Sequence, residues 1–564
     1  MEKSKKRRMK SPEEVLEIFK NYFTTERKKI FFVTLILGMI THFLLISNLI
    51  LSQDGLLNGV HYTAGGYEAS LGRWGIDFFD SLRNNIAIPF ITTLISILIM
   101  GFINILLIEL FEIKSKIFKI LTILSVVVSP SLCMTLLYSY TADAYLFAMF
   151  FSIFTVYSFY KIKNKKCGIV FGMASFMIML ATYQSYMGMT VGLILMLSIK
   201  RLLTEKNSSL EVIKDIFAKA LILILTAILY FIITKILLSI NGLTMSTYKG
   251  TNEISMFAIL TSLIPSIKNA YLAFTKYFFA DGIVLNRAWR REKLFLIVFA
   301  IFLVIYLQNF IKILKKEGMS KEFLIKFLLT TILLAALPVA LNLVLILAPG
   351  NEIYYLIATQ MILMIPFIFV IFEMLPEKSV FETVLNWIIV IVVSVIMITY
   401  FLSIVVTYQT TEMTYDQAKT IANRVLDRME QYPGYRSGMN KLFAGIIDDG
   451  NFPKTLDIYN LAVTNSLRSS IFHATYWGQE KTWKNFMNVF CGIPIEFCKD
   501  YEYYTIINSD EFKEMDIFPG ENSVRIINDV MVVKFSDHPE LPPMSQEMLD
   551  RGIDYNQLEK IENN

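Results

Sequence analysis

Residues 86–110, IAIPFITTLISILIMGFINILLIEL, decide the fold, because this apolar stretch carries its one charge, Glu109, near its end. An α-helix needs about 20 such residues to cross a hydrocarbon core of roughly 30 Å. Comparable stretches recur, and we predict about eleven spans, whose ends are placed to within several residues. They are roughly 30–51, 86–110, 117–139, 143–160, 168–183, 185–199, 217–240, 294–313, 323–347, 354–375 and 386–407.

Composition places the chain in the same class. Hydrophobic residues make up 55% of the 564 residues and charged residues 18%, and mean hydropathy is +0.52, which together exclude an ordinary soluble domain. The net charge of +5 gives no reason to expect a nucleic-acid partner. We therefore predict a polytopic α-helical membrane protein.

The connecting segments separate by charge. Lys and Arg are retained on the cytoplasmic side during insertion. They concentrate before the first span and in alternate loops, at 3–10, 114–119, 161–166, 200–206 and 312–321. The N-terminus is therefore predicted inside, and an odd number of spans places the C-terminus outside.

The predicted organisation has three parts. These are a cytoplasmic segment, 1–29, a transmembrane domain, 30–407, with long outer loops at 52–85 and 241–293, and an extracytoplasmic C-terminal region, 408–564. Residues 11–23 are predicted to form an interfacial helix that begins at Ser11 and Pro12. The apolar stretch 255–279 contains Lys268 and Lys276, so we predict an amphipathic helix on the outer leaflet rather than a span.

The C-terminal region is polar and mixed. Residues 410–431 are predicted as a helix, and SVRIINDVMVVKF, 523–535, as two strands joined at Asn528-Asp529. We predict an α/β or α+β domain. Cys491 and Cys498 are interpreted either as a local disulfide or as free thiols.

Acidic residues near the membrane are the best indicators of function in such a sequence. The first outer loop, 52–85, is much longer than a connection requires and contains Asp54, Glu68 and Asp77 among glycines and aromatic residues. It is interpreted as a carboxylate site at the interface, or else as a solvated amphipathic loop. Asp143, at the outer end of the fourth span, either faces the same cavity or caps its helix.

Basic and aromatic residues on the outer side suggest binding sites. Immediately before one span, beside Trp289, lie three arginines: Arg287, Arg290 and Arg291. They are interpreted either as a binding site for a lipid phosphate or, equally, as contacts with the bulk anionic headgroups. The turn at Tyr183-Gln184 is interpreted either as a sugar-binding site or as part of the aromatic belt at the membrane interface.

Other motifs are missing from the sequence. It contains no Walker-type glycine-rich loop, no GxSxG motif and no zinc-ligand spacing. These absences argue against an ATP-driven pump, a serine hydrolase and a metalloprotease.

The arrangement resembles the bacterial type II glucosyltransferases (Gtr type), which belong to the GT-C class of integral-membrane glycosyltransferases. The resemblance rests on Glu68 a few residues before Gly72-Arg73-Trp74 and on the run 182–186, TYQSY, within a cluster of spans. It covers residues 30 to about 410.

The resemblance implies transfer of a sugar, expected to be glucose, from a polyprenyl-phosphate carrier to a cell-surface glycan on the outer face. An acid of the first outer loop would be the catalytic base; Asp54 fits the general position of the class and Glu68 the narrower family, and Asp143 is a third candidate. The expected substrate-binding residues are Arg73, Trp74, Asp77, Tyr183, Gln184, Arg287, Arg290 and Arg291. The resemblance implies no definite cofactor: a divalent metal at these carboxylates is used by some members of the class and not by others.

Two other functions compete with this one. A transporter or flippase of a lipid-linked glycan would place charged groups near the midplane of several spans and often has repeated halves, neither of which the sequence shows. A binding or scaffold protein would carry its function in the C-terminal region alone.

Overall fold

The fold is described from a computed structural model, which covers residues 11–204, 208–247, 256–279, 291–348, 355–374, 379–445, 476–542, 544–551 and 553. The first half contains thirteen helices within these residues. They are α1 Pro12–Tyr22, α2 Thr25–Thr41, α3 Phe43–Ser47, α4 Gln53–Asn58, α5 Gly66–Ser70, α6 Ile76–Leu82, α7 Pro89–Phe111, α8 Lys116–Val127, α9 Pro130–Leu137, α10 Ala142–Lys161, α11 Lys165–Thr182, α12 Met187–Leu202 and α13 Ser209–Ile240.

The described second half adds eleven helices and three strands. The helices are α14 Met256–Thr261, α15 Leu263–Phe279, α16 Arg291–Glu317, α17 Lys321–Leu341, α18 Leu343–Leu347, α19 Met364–Glu373, α20 Val380–Gln431, α21 Tyr476–Phe490, α22 Asp500–Ile507, α23 Asp510–Lys513 and α24 Gln546–Asp550. The strands are β1 Lys441–Ala444, β2 Val524–Ile527 and β3 Val530–Lys534. Short 3-10 turns lie at Gln184–Tyr186, Tyr355–Ile357 and Thr359–Leu363.

Eight helical segments in the described part are long and apolar enough to cross a membrane. They are α7, α8 together with α9, α10, α11, α13, α16, α17 and α20. The chain is therefore a polytopic helical membrane protein. The other three predicted spans also coincide with helices, but these are shorter or interrupted: α2 with α3, α12, and α19 with the turns before it.

Ion pairs join the helix ends at one side of the bundle. The Arg27 guanidinium binds both carboxylate oxygens of Glu109, at 2.5 and 2.8 Å. Glu112 accepts from Lys161 at 2.6 Å and from Lys200 at 2.8 Å. Because these residues come from α2, α7, α10 and α12, they identify one common rim, which we call the basic rim. It is the side that the charge distribution predicts to be cytoplasmic.

Helix α20 joins the membrane part to the C-terminal region without a break. Ser379 and Glu382 form a capping box at its start, with hydrogen bonds of 3.2 and 3.0 Å. The helix then continues for 52 residues, which corresponds to about 78 Å at 1.5 Å per residue. It is much longer than a bilayer core, so its second half extends away from the membrane part.

The C-terminal region contains a mixed sheet of order β1-β3-β2. β3 pairs in parallel with β1 and antiparallel with β2. The predicted hairpin is present, and Asn528 and Asp529 both adopt positive φ, as a two-residue hairpin turn requires. Cys491 and Cys498 are free thiols.

Both predicted amphipathic helices are formed. The Ser11 hydroxyl accepts from the Glu14 amide, which confirms the predicted helix start, and the Glu14 carboxylate accepts from the Ser11 amide, which completes a capping box that was not predicted. In α15, Lys268 and Lys276 are exposed while Ala270 and other residues of the opposite face are buried. The placement of both helices relative to the bilayer stays a prediction.

Candidate functional site

The first outer loop is folded rather than extended. Residues 60–62 pair with residues 85–87: the Tyr62 amide donates to the Asn85 carbonyl at 2.9 Å, and the Ala87 amide donates to the Val60 carbonyl at 2.8 Å. Along the chain, α4 precedes the paired residues, and α5 and α6 lie between them. Since α7 begins after this loop and ends at the basic rim, the loop covers the opposite end of the bundle.

A buried ion-pair network fixes the loop to the membrane helices. The Arg83 side chain binds Asp80 at 2.5 Å and Asp143 at 3.1 Å, and all three side chains are at most 2% exposed. The guanidinium also donates to the carbonyls of Ile86 at 2.9 Å and Tyr140 at 2.6 Å. Asp143 therefore joins the loop, as predicted, but as a partner of a cation.

The network contains two carboxylates and one guanidinium, so full ionisation would leave one surplus negative charge in a buried place. Burial disfavours that charge. It raises the pKa of Asp80 to about 7, against the opposing effects of Arg83 and of the Ala64 amide, which donates to the carboxylate at 2.8 Å. The site therefore holds a proton up to near-neutral pH.

Both carboxylate oxygens of Glu68 serve the loop itself. One accepts from the Tyr62 hydroxyl at 2.6 Å, and the other accepts from the Gly65 amide at 2.8 Å, which caps α5. Burial, reinforced by the neighbouring Glu68 carboxylate, raises the pKa of Tyr62, so this hydroxyl stays a donor. The Tyr62 ring also packs edge-on against Tyr140, with centroids 4.8 Å apart.

Asp54 lies in the first turn of α4 and is half-buried. The Ser52 hydroxyl caps this helix by accepting from the Gly55 amide at 3.0 Å. The Asp54 carboxylate lies near the Tyr140 hydroxyl. Burial raises the pKa of that hydroxyl, and the charges of neighbouring groups, including Asp54, raise it further. Tyr140 thus lies between the Asp54 and Glu68 parts of the loop.

Arg73 faces a pair of stacked tyrosines on the membrane helices. Its guanidinium donates to the Tyr145 hydroxyl at 3.2 Å and lies 5.2 Å from the centre of the Tyr183 ring. The two rings stack with centroids 4.0 Å apart. A half-buried arginine over an aromatic ring is well placed for an oxyanion such as a phosphate, because its planar guanidinium can donate two parallel N–H bonds to two oxygens.

Trp74 turns towards α13. Its indole N–H donates to the Thr234 hydroxyl at 3.1 Å, and its ring lies nearly parallel to Tyr230, with centroids 6.5 Å apart.

Gln184 stabilises the turn at Gly72-Arg73-Trp74, which we call the GRW turn. Its amide nitrogen donates to the Leu71 carbonyl at 3.0 Å and to the Tyr230 hydroxyl at 2.8 Å, while that hydroxyl donates to the Gly72 carbonyl at 2.8 Å. Gly72 has φ of +78°, and a Cβ there would lie 2.3 Å from the Tyr230 oxygen. Glycine is required by both the backbone conformation and the space.

The remaining predicted residues are placed differently. Asp77 is exposed on α6. Arg291 is the first residue of α16, whereas Arg287 and Arg290 lie outside the described residues. Within the described ranges, no three His, Cys, Asp or Glu residues converge as metal ligands would.

Sequence reasoning overlooked several residues of the site. Arg83, Asp80, Tyr62 and Tyr140 connect the predicted acids, yet none was selected as a site residue. The spacing of Asp80 and Arg83 on one helical turn was a usable signal, since residues three apart are neighbours. The pairing of Arg83 with Asp143, 60 positions later, leaves no local pattern.

Comparison with known proteins identifies one family. The model of the family described as glucosyl transferase GtrII matches residues 43–365, more than half of the chain. That range includes the whole first outer loop and its partners on α10 and α13. No curated protein and no solved structure matches. The chain therefore belongs to the glucosyl transferase GtrII family, as its resemblance to the Gtr-type enzymes predicted.

Proposed function

We propose that this membrane protein transfers glucose from a polyprenyl-phosphate carrier to a cell-surface glycan on the outer face of the membrane. The observation that carries the proposal is the folded first outer loop, which gathers Asp54, Glu68 and Arg73 at the end of the bundle opposite the basic rim. Family membership supports a glucosyl transferase and does not favour the transporter alternative. A lipid-linked donor suits a site outside the cell, where no nucleotide sugar is supplied.

In the proposed reaction, the acceptor hydroxyl attacks the anomeric carbon of glucose. The new glycosidic bond forms as the bond from that carbon to the phosphate oxygen breaks. A carboxylate takes the hydroxyl proton, and the polyprenyl phosphate leaves with the electron pair. The Arg73 guanidinium is the proposed partner of the phosphate, because charge develops there during the reaction.

Asp54 is the proposed base because it lies half-buried in the first turn of α4, at the position that the resemblance to the GT-C class implies for a catalytic acid. Glu68 accepts from Tyr62 and Gly65 through its two oxygens, and Asp143 is bound to Arg83. We therefore assign Glu68 and Asp143 to holding the loop. The Trp74 indole N–H donates to Thr234 and the Gln184 amide donates to Tyr230, so we propose that these two residues shape the pocket rather than bind sugar through those groups.

Among the described residues, no group of three His, Cys, Asp or Glu side chains is arranged to hold a divalent metal. Within the buried network, Arg83 already provides the positive charge beside Asp80 and Asp143.

The test is glucose transfer by the purified full-length protein, reconstituted with glucosyl polyprenyl phosphate and cell-wall glycan. Asp54→Asn is expected to lower the rate at least about 100-fold, the usual contribution of a general base. Glu68→Gln, which retains an acceptor oxygen for the loop, is expected to keep most of the rate. Asp427→Asn, on an exposed face of α20, is the matched control.

Two results would count against the proposal. A wild-type rate in Asp54→Asn would remove this residue as the base. An unchanged surface glycan in a deletion strain, together with no transfer in vitro, would remove the transferase function itself.

A further inference from the structure

Helix α4, which carries Asp54, is built into the core of the C-terminal region. Leu51 is 2% exposed and Leu56 is fully buried, and both belong to the hydrophobic cluster that contains Phe486 of α21. The leucines lie three residues before and two residues after Asp54. The segment that bears the proposed base is thus packed into a part of the chain outside the matched family range.

Hydrogen bonds from the same region hold both ends of this helix. The Tyr415 hydroxyl, on the extended half of α20, donates to the Leu51 carbonyl at 3.2 Å. The Asn485 side-chain amide donates to the carbonyls of Leu56 at 2.7 Å and Leu57 at 3.0 Å. These carbonyls are at the end of α4, where backbone acceptors lack partners in the next turn. The Leu56 carbonyl accepts in addition from the Gly59 amide at 3.2 Å.

The opposite side of α4 rests on the membrane part. The Ser52 amide donates to the Leu137 carbonyl at 3.0 Å. Gly59, which ends the helix with φ of +75°, lies so close to Asn485 that a Cβ would be 3.3 Å from its amide nitrogen. α4 therefore lies between the end of α9 and α21.

A helix of six residues is not stable alone, because the cost of its first turn exceeds what so few hydrogen bonds return. Its position must come from the contacts at its ends. Tyr415 and Asn485 supply such contacts at its two ends, and the core around Phe486 covers its apolar side.

We propose that the C-terminal region is part of the transferase site, with Asn485 and Tyr415 as positioning residues that hold the Asp54 helix against the outer end of α9. This inference rests on the proposed function, in which Asp54 is the base. The C-terminal region would then act on the reaction rate through α4, without touching the donor.

The test combines two measurements on the full-length protein. Hydrogen–deuterium exchange of residues 50–60 reports the order of α4 without reference to activity. Steady-state kinetics with glucosyl polyprenyl phosphate report kcat and KM. Asn485→Asp keeps the shape of the side chain but replaces both donors with acceptors that face carbonyl oxygens.

Asn485→Asp is expected to speed exchange in residues 50–60 about tenfold or more, since buried acceptors lose their donors. We expect kcat to fall about tenfold or more, because a misplaced catalytic group loses alignment. The KM for the donor should change by less than about twofold, since only the transition state is affected.

Two further variants sharpen the result. Asn508→Asp is the control, because Asn508 donates to the Tyr504 carbonyl within its own helix, at 2.8 Å, and should change neither measurement. Tyr415→Phe removes only the hydroxyl donor and keeps the ring against Phe490. It should shift both measurements in the same direction, by a smaller factor.

Faster exchange with an unchanged kcat would overturn the inference, as would a lower kcat with unchanged exchange. Neither outcome touches the proposed transferase function, which fails only if the wild-type protein transfers no glucose.

Discussion

Arg83 is the residue on which the geometry of the first outer loop depends most. It is buried between Asp80 and Asp143, and it donates to the carbonyls of Ile86 and Tyr140. A buried ion pair adds little net stability compared with apolar packing, but removing one partner leaves charge without compensation.

We therefore expect Arg83→Met to lower the free energy of unfolding by about 3–5 kcal/mol, because two buried carboxylates lose their cation. Thermal or denaturant unfolding in detergent measures this. Arg436→Met is the control, since Arg436 pairs with Asp529 on the surface, where such pairs are worth about 0–1 kcal/mol. Equal losses in the two variants would contradict the network.

Asp80 gives the same network a pH dependence. Its pKa is raised to about 7 in the folded protein, above the ordinary value of 3.8 that it has when unfolded. The fold thus favours the protonated carboxyl, and this contribution is complete below pH 3.8 and lost as pH rises to 7.

Asp80→Asn mimics the protonated form and should remove that part of the slope. We expect the difference in Tm between Asp80→Asn and wild type to grow in favour of the variant from about pH 4 to pH 7, and then to level off. Parallel Tm curves for the two proteins would show that Asp80 does not titrate in this window.

At the scale of elements, the GRW turn is fixed by a helix that arrives much later in the chain. Tyr230 of α13 and Gln184, at the turn after α11, both bind its backbone, and Gly72 leaves just enough room for the Tyr230 hydroxyl.

Gly72→Ala should displace this turn, because its methyl group would collide with Tyr230 and because φ of +78° is unfavourable for alanine. We expect a loss of about 1–3 kcal/mol in unfolding free energy and a lower transfer rate through Arg73. Gly65→Ala, in the same loop, has no atom within 4 Å of its new Cβ and should behave as wild type. A silent Gly72→Ala would exclude this packing.

Elements with a local signal were predictable from the sequence. Apolar length marked the helices, and Asn528-Asp529 marked the hairpin, since both depend on neighbouring residues. Interruptions were not foreseen: His42 separates α2 from α3, and a break at residues 128–129 separates α8 from α9. The second break has a local cause that hydropathy does not report, because Pro130 disfavours the helical conformation in the residue before it.

The site was predicted only in outline. The first outer loop and Asp143 were selected because acids near a membrane are costly and therefore informative. Their part in the reaction stays a prediction. The choice among Asp54, Glu68 and Asp143 as the base also stays a prediction. It draws on partners such as Tyr62 and Arg83, which the sequence does not connect to these acids.

At the scale of the whole molecule, the charge distribution predicts that the basic rim faces the cytoplasm and the first outer loop faces outward. Two native cysteines can report this arrangement. Cys167 is exposed near the basic rim, at the start of α11, and Cys491 is partly exposed in the C-terminal region.

A membrane-impermeant maleimide applied to intact cells should therefore label Cys491 and leave Cys167 unlabelled until the cells are opened. Cys167→Ser and Cys491→Ser identify which thiol reacts. The buried Cys133 and Cys498 serve as internal references. Labelling of Cys167 in intact cells would reverse the proposed orientation and place the Asp54 loop inside.

The insertion of Leu51 and Leu56 into the core around Phe486 also has a consequence for biogenesis. Their hydrogen-bonding partners are 364 and 429 positions later in the chain, at Tyr415 and Asn485. During synthesis the first loop leaves the translocon long before the ribosome has made those partners. Until then, we expect both leucine side chains to be in contact with water or lipid. A nascent chain that stops short of α21 never covers them, and this exposed apolar pair is the kind of defect that cellular quality control degrades.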